Sequence, residues 1–124
     1  MIDFEKASVF KLSPCRVQDV LGSVGPLIIP GEDVVAAFKS VRDYVAFTNK
    51  RLIAVNVQGI TGKKRDFTSL PYNKVQAFSV ETAGTFDLDA ELELWFSGLG
   101  KVRLEFKGSS DIVEISRLIA HHAL

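Results

Sequence analysis

The sequence predicts a mainly β domain of seven antiparallel strands capped by a C-terminal helix, with a short N-terminal helix ahead of them, and three observations carry that prediction. From residue 33 onward, β-branched and aromatic residues gather in short runs broken at close intervals by Gly, Asn, Pro and Asp, the signature of strands joined by tight turns. Two of these runs, 89–97 and 101–107, alternate between polar and apolar residues, as a half-buried strand requires. After Gly108 the apolar spacing changes from two to three and four, the period of a helix. At 124 residues the chain has the length of one core. Residues 1–124 are therefore read as one domain, with 1–30 a helical and extended lead-in and 31–124 the strands and the closing helix.

Ser13-Pro14 opens the first element. Ser caps free amides, Pro fits the first helical position and Gly22 ends the turn, so a helix is expected over 14–21. "GPLIIPGED" (25–33) sets Leu27, Ile28 and Ile29 between two prolines and closes on Pro30-Gly31, an extended connection ending in a turn whose apolar residues must pack. Strands follow at 33–40, 44–48, 51–57, 65–70, 74–81, 89–97 and 101–107. Asn49 is expected to take a positive φ in the turn with Lys50, and Gly59 and Gly62 to do so in the turn over 58–64. In the last two strands Ala90, Leu92, Leu94 and Phe96 share the core face with Val102, Leu104 and Phe106. On the other face Glu91, Glu93 and Trp95 lie opposite Arg103, Glu105 and Lys107, making charge pairs and a Trp–Arg contact available. Asp111 with Glu114 starts the final helix, and its Ile112, Ile115, Leu118, Ile119 and His122 stripe plugs one open end of a small barrel or sandwich.

Lys and Arg number 15 and Asp and Glu number 15, so no global basic field draws in nucleic acid, and charged recognition must be local. Apolar residues make up 47%, a surplus for so small a domain that points to subunit contacts. The N-terminus lacks the basic and apolar regions of a signal peptide, and no run approaches the roughly 20 apolar residues of a membrane span. The single Cys15 forms no internal disulfide. Together these give an expected cytoplasmic location.

Seven strands followed by one helix is the order of the pleckstrin-homology (PH) superfold, and "FTNKRLI" (47–53) resembles the Thr-Asn-x-Arg-Leu turn of bacterial PH-like and GRAM domains. More specifically, "RDYVAFTNKRLIAVNVQGITGKK", "LPYNKVQAFSVETAGTFDLDAELELW" and the closing helix resemble the bacterial PH family of single-domain proteins, in uninterrupted order from Gly31 to Leu124. The resemblance implies a PH-like barrel and a closed cyclic homo-oligomer, a pentameric ring. It also implies a hydrophilic working surface where strands of neighbouring protomers meet and engage other proteins. It brings no cofactor and no reaction. The hairpin that grips phosphoinositide head groups in lipid-binding PH domains is here "FKSVRDY" (38–44), with only Lys39, Arg42 and a neighbouring Asp43.

No candidate catalytic constellation emerges: no nucleophile stands in a plausible arrangement with a base, so the protein is read as not an enzyme. "GITGKKR" (59–65) has two residues where a phosphate loop needs four, and it leads into a strand. "DLDAELE" (87–93) lacks the Gly and distal Glu of a calcium loop. His121-His122 lack the i, i+4 spacing of helical metal ligands and sit where a helix C-terminus favours partial positive charge, and no metal is expected. Cys15, although placed near a helix start, has no evident partner.

The candidate partner-binding residues are Asn49, Lys50 and Arg51 on one turn, Lys63 and Lys64 on the next, and an acidic row of Asp87, Asp89 and Glu91 continuing to Glu93. The leading reading is a non-enzymatic module that assembles with itself and recognises another protein. The alternative is a module that binds anionic lipid or a membrane surface. In the lipid-binding alternative a ring would bring Lys50, Lys63, Lys64 and Arg65 to one rim in several copies.

Overall fold

The computed structural model describes residues 1–4, 10–108 and 110–124. In chain order the elements are β1 (Phe10–Cys15), α1 (Val17–Val24), β2 (Val34–Lys39), β3 (Tyr44–Thr48), β4 (Arg51–Gln58), β5 (Lys64–Pro71), β6 (Val75–Glu81), β7 (Ala90–Phe96), β8 (Gly100–Phe106) and α2 (Ile112–Ala123). Short 3-10 turns occupy Gly25–Leu27 and Tyr72–Lys74. The strands form one sheet in the order β5-β4-β3-β2-β1-β8-β7-β6. The fold is mainly β with two helices, and each of the seven expected strands lies within one residue of its predicted bounds.

Several expectations are corrected. The sheet has eight strands and its ends, β5 and β6, do not pair, so it is not a closed seven-stranded barrel. The eighth strand is β1, which takes Pro14 and Cys15 out of the expected helix. Its residues Phe10, Lys11 and Leu12 pair parallel with β8, and Ser13, Pro14 and Cys15 then pair antiparallel with β2. The helix starts later, where Asp19 accepts from the Arg16 amide at 3.0 Å. It runs through Gly22 to bury Val20 and Val24, one helical turn apart. Of the apolar trio in the connection, Ile28 packs inward but Ile29 stays 52% exposed, so only part of it packs.

The larger core lies between the sheet and α2. Phe38, Phe47 and Phe106 meet edge to face and tilted at its centre, and Ile112, Ile115 and Ile119 of α2 close it. The expected inward face of β7 and β8 is buried throughout. A second cluster sits on the opposite face of the sheet, where Val20 and Val24 of α1 cover Ala37, Ala46, Ile53 and Val55. Strands β3 and β4 are therefore buried on both faces, which explains why "YVAF" and "LIAV" read as continuous apolar runs rather than alternating ones. None of the described helices is long and apolar enough to cross a membrane.

Candidate functional site

The Thr48-Asn49-Lys50-Arg51 turn is built by side chains rather than by an unusual backbone. No residue other than glycine has a positive φ among the described residues, so Asn49 does not turn the chain as expected. Instead the Thr48 hydroxyl accepts from the Lys50 amide at 3.0 Å and the Arg51 amide at 2.9 Å, a Ser/Thr turn. Asn49 clasps the neighbouring connection, accepting from the Asp33 amide at 2.9 Å and donating to the Gly31 carbonyl at 3.0 Å.

Arg51 is likewise committed to the fold. Its guanidinium donates to Glu32 at 2.9 and 3.0 Å, to the Leu27 carbonyl at 2.7 Å and to Ser69 Oγ at 2.9 Å. Thr48 donates to the same buried Glu32 at 2.7 Å. Burial works to raise the Glu32 carboxyl, but hydrogen bonds from Arg51, Thr48 and the Ile29 amide outweigh it and hold the group below its ordinary range. Tyr72 completes the knot, donating its phenol to the Thr48 carbonyl at 2.8 Å and its amide to the Lys50 carbonyl at 3.2 Å. Burial, then the nearby Glu32, pushes that phenol upward. Of the three candidates on this turn, Lys50 alone has an exposed side chain.

Within one chain the basic tips stand apart. β4 starts beside the Asn49-Lys50 turn and ends beside the Gly59–Lys63 turn, and its eight residues at about 3.3 Å each place Lys50 roughly 25 Å from Lys63 and Lys64. What does gather at the far end is the β2–β3 hairpin. Arg42 donates to the Gly59 carbonyl, and Gly62 leaves only 3.2 Å between a notional Cβ and Val57, so this turn needs its glycines at φ +75° and +68°. Lys63, Lys64 and Arg65 are exposed there, together with two apolar tips, Val41 and Ile60, that touch water on all sides. Arg65 reaches back to Ser23 of α1 at 2.6 Å.

The acidic candidates are brought together only in part. Glu81, Glu91 and Glu105 stand opposite one another across β6, β7 and β8, with Lys11 of β1 next in line. Glu91 and Glu93 therefore find their cations diagonally, Glu91 with Arg103 and Glu93 with Lys101 at 3.9 Å. The register sets Trp95 opposite Lys101, not an arginine. The carboxyl of Glu105 is raised by partial burial and then by the neighbouring carboxylates of Asp89 and Glu91. Asp87 stays in the loop, accepting from the Asp89 amide at 3.1 Å. Sequence spacing puts Glu105 on this face, but that it stands directly opposite Glu91 follows only from the β7–β8 register.

The remaining candidates are structural. Cys15 ends a strand instead of starting a helix, and burial, then Asp19, pushes its thiol up, away from nucleophilic character. His122 stacks on Tyr72 with ring centroids 5.8 Å apart, and His121 meets His122 edge-on. No group of three or more His, Cys, Asp or Glu among the described residues is placed to hold a metal ion.

An open, mostly antiparallel eight-stranded sheet with a helix closing its core is the plan of a PH-like domain. The chain belongs to the bacterial PH domain family, whose model matches residues 3–123. It is 50% identical over 111 residues to the uncharacterized protein YjqA of Bacillus subtilis (strain 168), covering 88% of this chain and 86% of that one. It is 31% identical over 96 residues to YozO of the same organism, covering 77% and 82%. Among solved structures, a DUF1696 family protein with a pleckstrin-homology domain from Shewanella loihica PV-4 superposes with a TM-score of 0.79 at 40% identity, over 93% of this chain and 99% of that one. A pleckstrin homology domain from Shewanella amazonensis SB2B gives a TM-score of 0.66 at 43% identity, over 89% and 90%.

Proposed function

We propose that the protein is a non-enzymatic, cytoplasmic PH-like module that assembles into a cyclic homo-oligomer, a pentamer, and uses its exposed charged surface to recognise another protein. The observation that carries this reading is the division of labour among its polar groups. Glu32, Thr48, Arg51 and Tyr72 are spent on one another inside the fold. Lys50 and Lys63 are exposed on turns and Lys64 at the start of β5, where they suit binding rather than chemistry. Light scattering should return five times 13.6 kDa, and a monomer mass at micromolar concentration would sink the assembly. Because the lysines sit at opposite ends of β4, Lys50→Ser and the Lys63→Ser/Lys64→Ser pair should affect partner recovery differently while leaving the thermal midpoint nearly unchanged. Equal recovery by parent and both variants would move the working surface to the acidic row of Asp87, Asp89 and Glu91.

A second reading is favoured by Val41 and Ile60, exposed beside Arg42, Lys63 and Lys64. Apolar tips ringed by cations suit an anionic membrane surface, and a ring would multiply weak contacts. Pelleting with phosphatidylserine vesicles at low and high salt separates the two, since retention by vesicles at low salt alone marks the lipid reading.

A further inference from the structure

The two free edges of the sheet are unequal. β5 carries Lys64, Arg65 and Asp66 at one end and Pro71 at the other, and the start of the chain lies beside it. The Met1 ammonium pairs with Asp66 at 2.7 Å, and the Ile2 amide donates to Thr68 Oγ1 at 3.0 Å. Charge, proline and a covering segment are the devices that keep an edge from pairing with another strand. β6 has neither charge nor proline over its first six residues, "VQAFSV", and none of its seven residues is buried, although Phe78 and Val80 pack against the core. A register shift touches only its start, leaving residues 77–81 in regular pairing with β7.

Two features beside this edge define what fits it. A hollow of about 160 Å³ opens along β6, lined by Ala77, Ser79, Trp95, Glu93 and Lys101 among others, large enough for one side chain. At the far end Glu81 stands opposite Glu91, whose carboxylate is already taken by Arg103, so the row has an acid to spare. We propose that β6 is a strand-addition site for an extended segment of a partner protein, lying antiparallel, with apolar side chains over Phe78 and Val80, one in the Trp95 hollow and a Lys or Arg opposite Glu81. The proposal rests on the protein-recognition reading above and names the class of partner. Backbone hydrogen bonds along the edge supply affinity, and the alternating side chains supply the choice of sequence. A second copy of β6 fits less well, because antiparallel self-pairing about Phe78 sets each Glu81 opposite Val75 and not a cation.

The test uses the full chain and an acetylated, amidated peptide, SKVTVLS, whose Lys falls opposite Glu81 and whose Leu falls opposite Ala77. Trp95 is the only tryptophan, so its emission reports the hollow, and amide hydrogen exchange reports the edge. The expected result is a saturable change in emission with slowed exchange confined to β6 amides. Binding should be at least about tenfold weaker for SEVTVLS, where like charges face each other, and absent for SKVPVLS, which cannot complete the ladder. Glu81→Lys should reverse the preference between the Lys and Glu peptides. The proposal is overturned by an unsaturable response, by protection on β5, or by a preference that Glu81→Lys leaves unchanged. It is also overturned if β6 is protected without peptide as protein concentration rises, which would mark a second copy as the occupant. Light scattering on the same samples keeps the readings apart: a monomer that binds the peptide loses the ring and retains this site, whereas an intact ring that ignores the peptide loses this site alone.

Discussion

Arg51 shows how a residue that looks available for recognition can be consumed by the fold. In the sequence it stands in a polar turn, but its side chain crosses to a carboxylate 19 positions earlier, and Glu32 is fully enclosed there, with Arg51 only 19% exposed. Local pattern cannot reveal such a partner, since Glu32 follows Pro-Gly in a stretch that reads as loop. Removing one member of a buried pair strands the other, so Arg51→Ala should cost about 3 to 5 kcal/mol. The pH dependence has a definite sign. Glu32 is held below its ordinary value of 4.5, so the folded state binds fewer protons than the unfolded one near that pH. The stabilisation is fully present above 4.5 and is lost as pH falls through the lower folded value. The penalty of Arg51→Ala should therefore be largest at neutral pH and shrink toward pH 3 in denaturant titrations. A penalty constant from pH 7 to pH 3 would mean that the ion pair is not what Arg51 contributes.

At the scale of elements, legibility followed the length of unbroken pairing. β7 and β8 were readable because each keeps one partner face for seven residues, long enough for alternation to show. β1 was not, because it changes partner after three residues, contains Pro14 and pairs with Leu104 from almost the other end of the chain. Ser13-Pro14 then looks like a helix start when the true start is the Arg16–Asp19 clasp. The acidic row was legible on β7 alone; its neighbours on β6 and β8 required the register. That register makes a direct prediction. Leu94, 1% exposed, should cost about 2 to 5 kcal/mol when cut to Ala. The half-exposed Glu93, whose cation is 3.9 Å away, should cost well under 1 kcal/mol. Similar losses in the two variants would place both residues on the wrong faces, a slip of one in the β7–β8 register.

For the whole molecule, β1 is the seam. The sheet order places β2 to β5 on one side of it and β6 to β8 on the other, and among the described strands β1 pairs with both groups. Leu12 sits at the change of partner, fully buried, and its carbonyl accepts from the Lys107 amide at 2.9 Å. The larger core draws Phe38, Val45, Phe47 and Leu52 from one side and Leu92, Leu94, Phe96 and Leu104 from the other. Neither side can bury these residues without its counterpart, so the chain should unfold as one domain. Trp95 emission, which reports only the β6–β8 side, and far-ultraviolet circular dichroism, which reports both, should trace coincident transitions. Leu12→Ala should lower both midpoints together, by about 2 to 5 kcal/mol of stability, because it opens a cavity that both sides share. If the fluorescence transition separates from the dichroism transition in the parent protein, the two sides are independent units and the single-domain reading fails. If they separate only in Leu12→Ala, β1 is the element that makes the two sides fold as one.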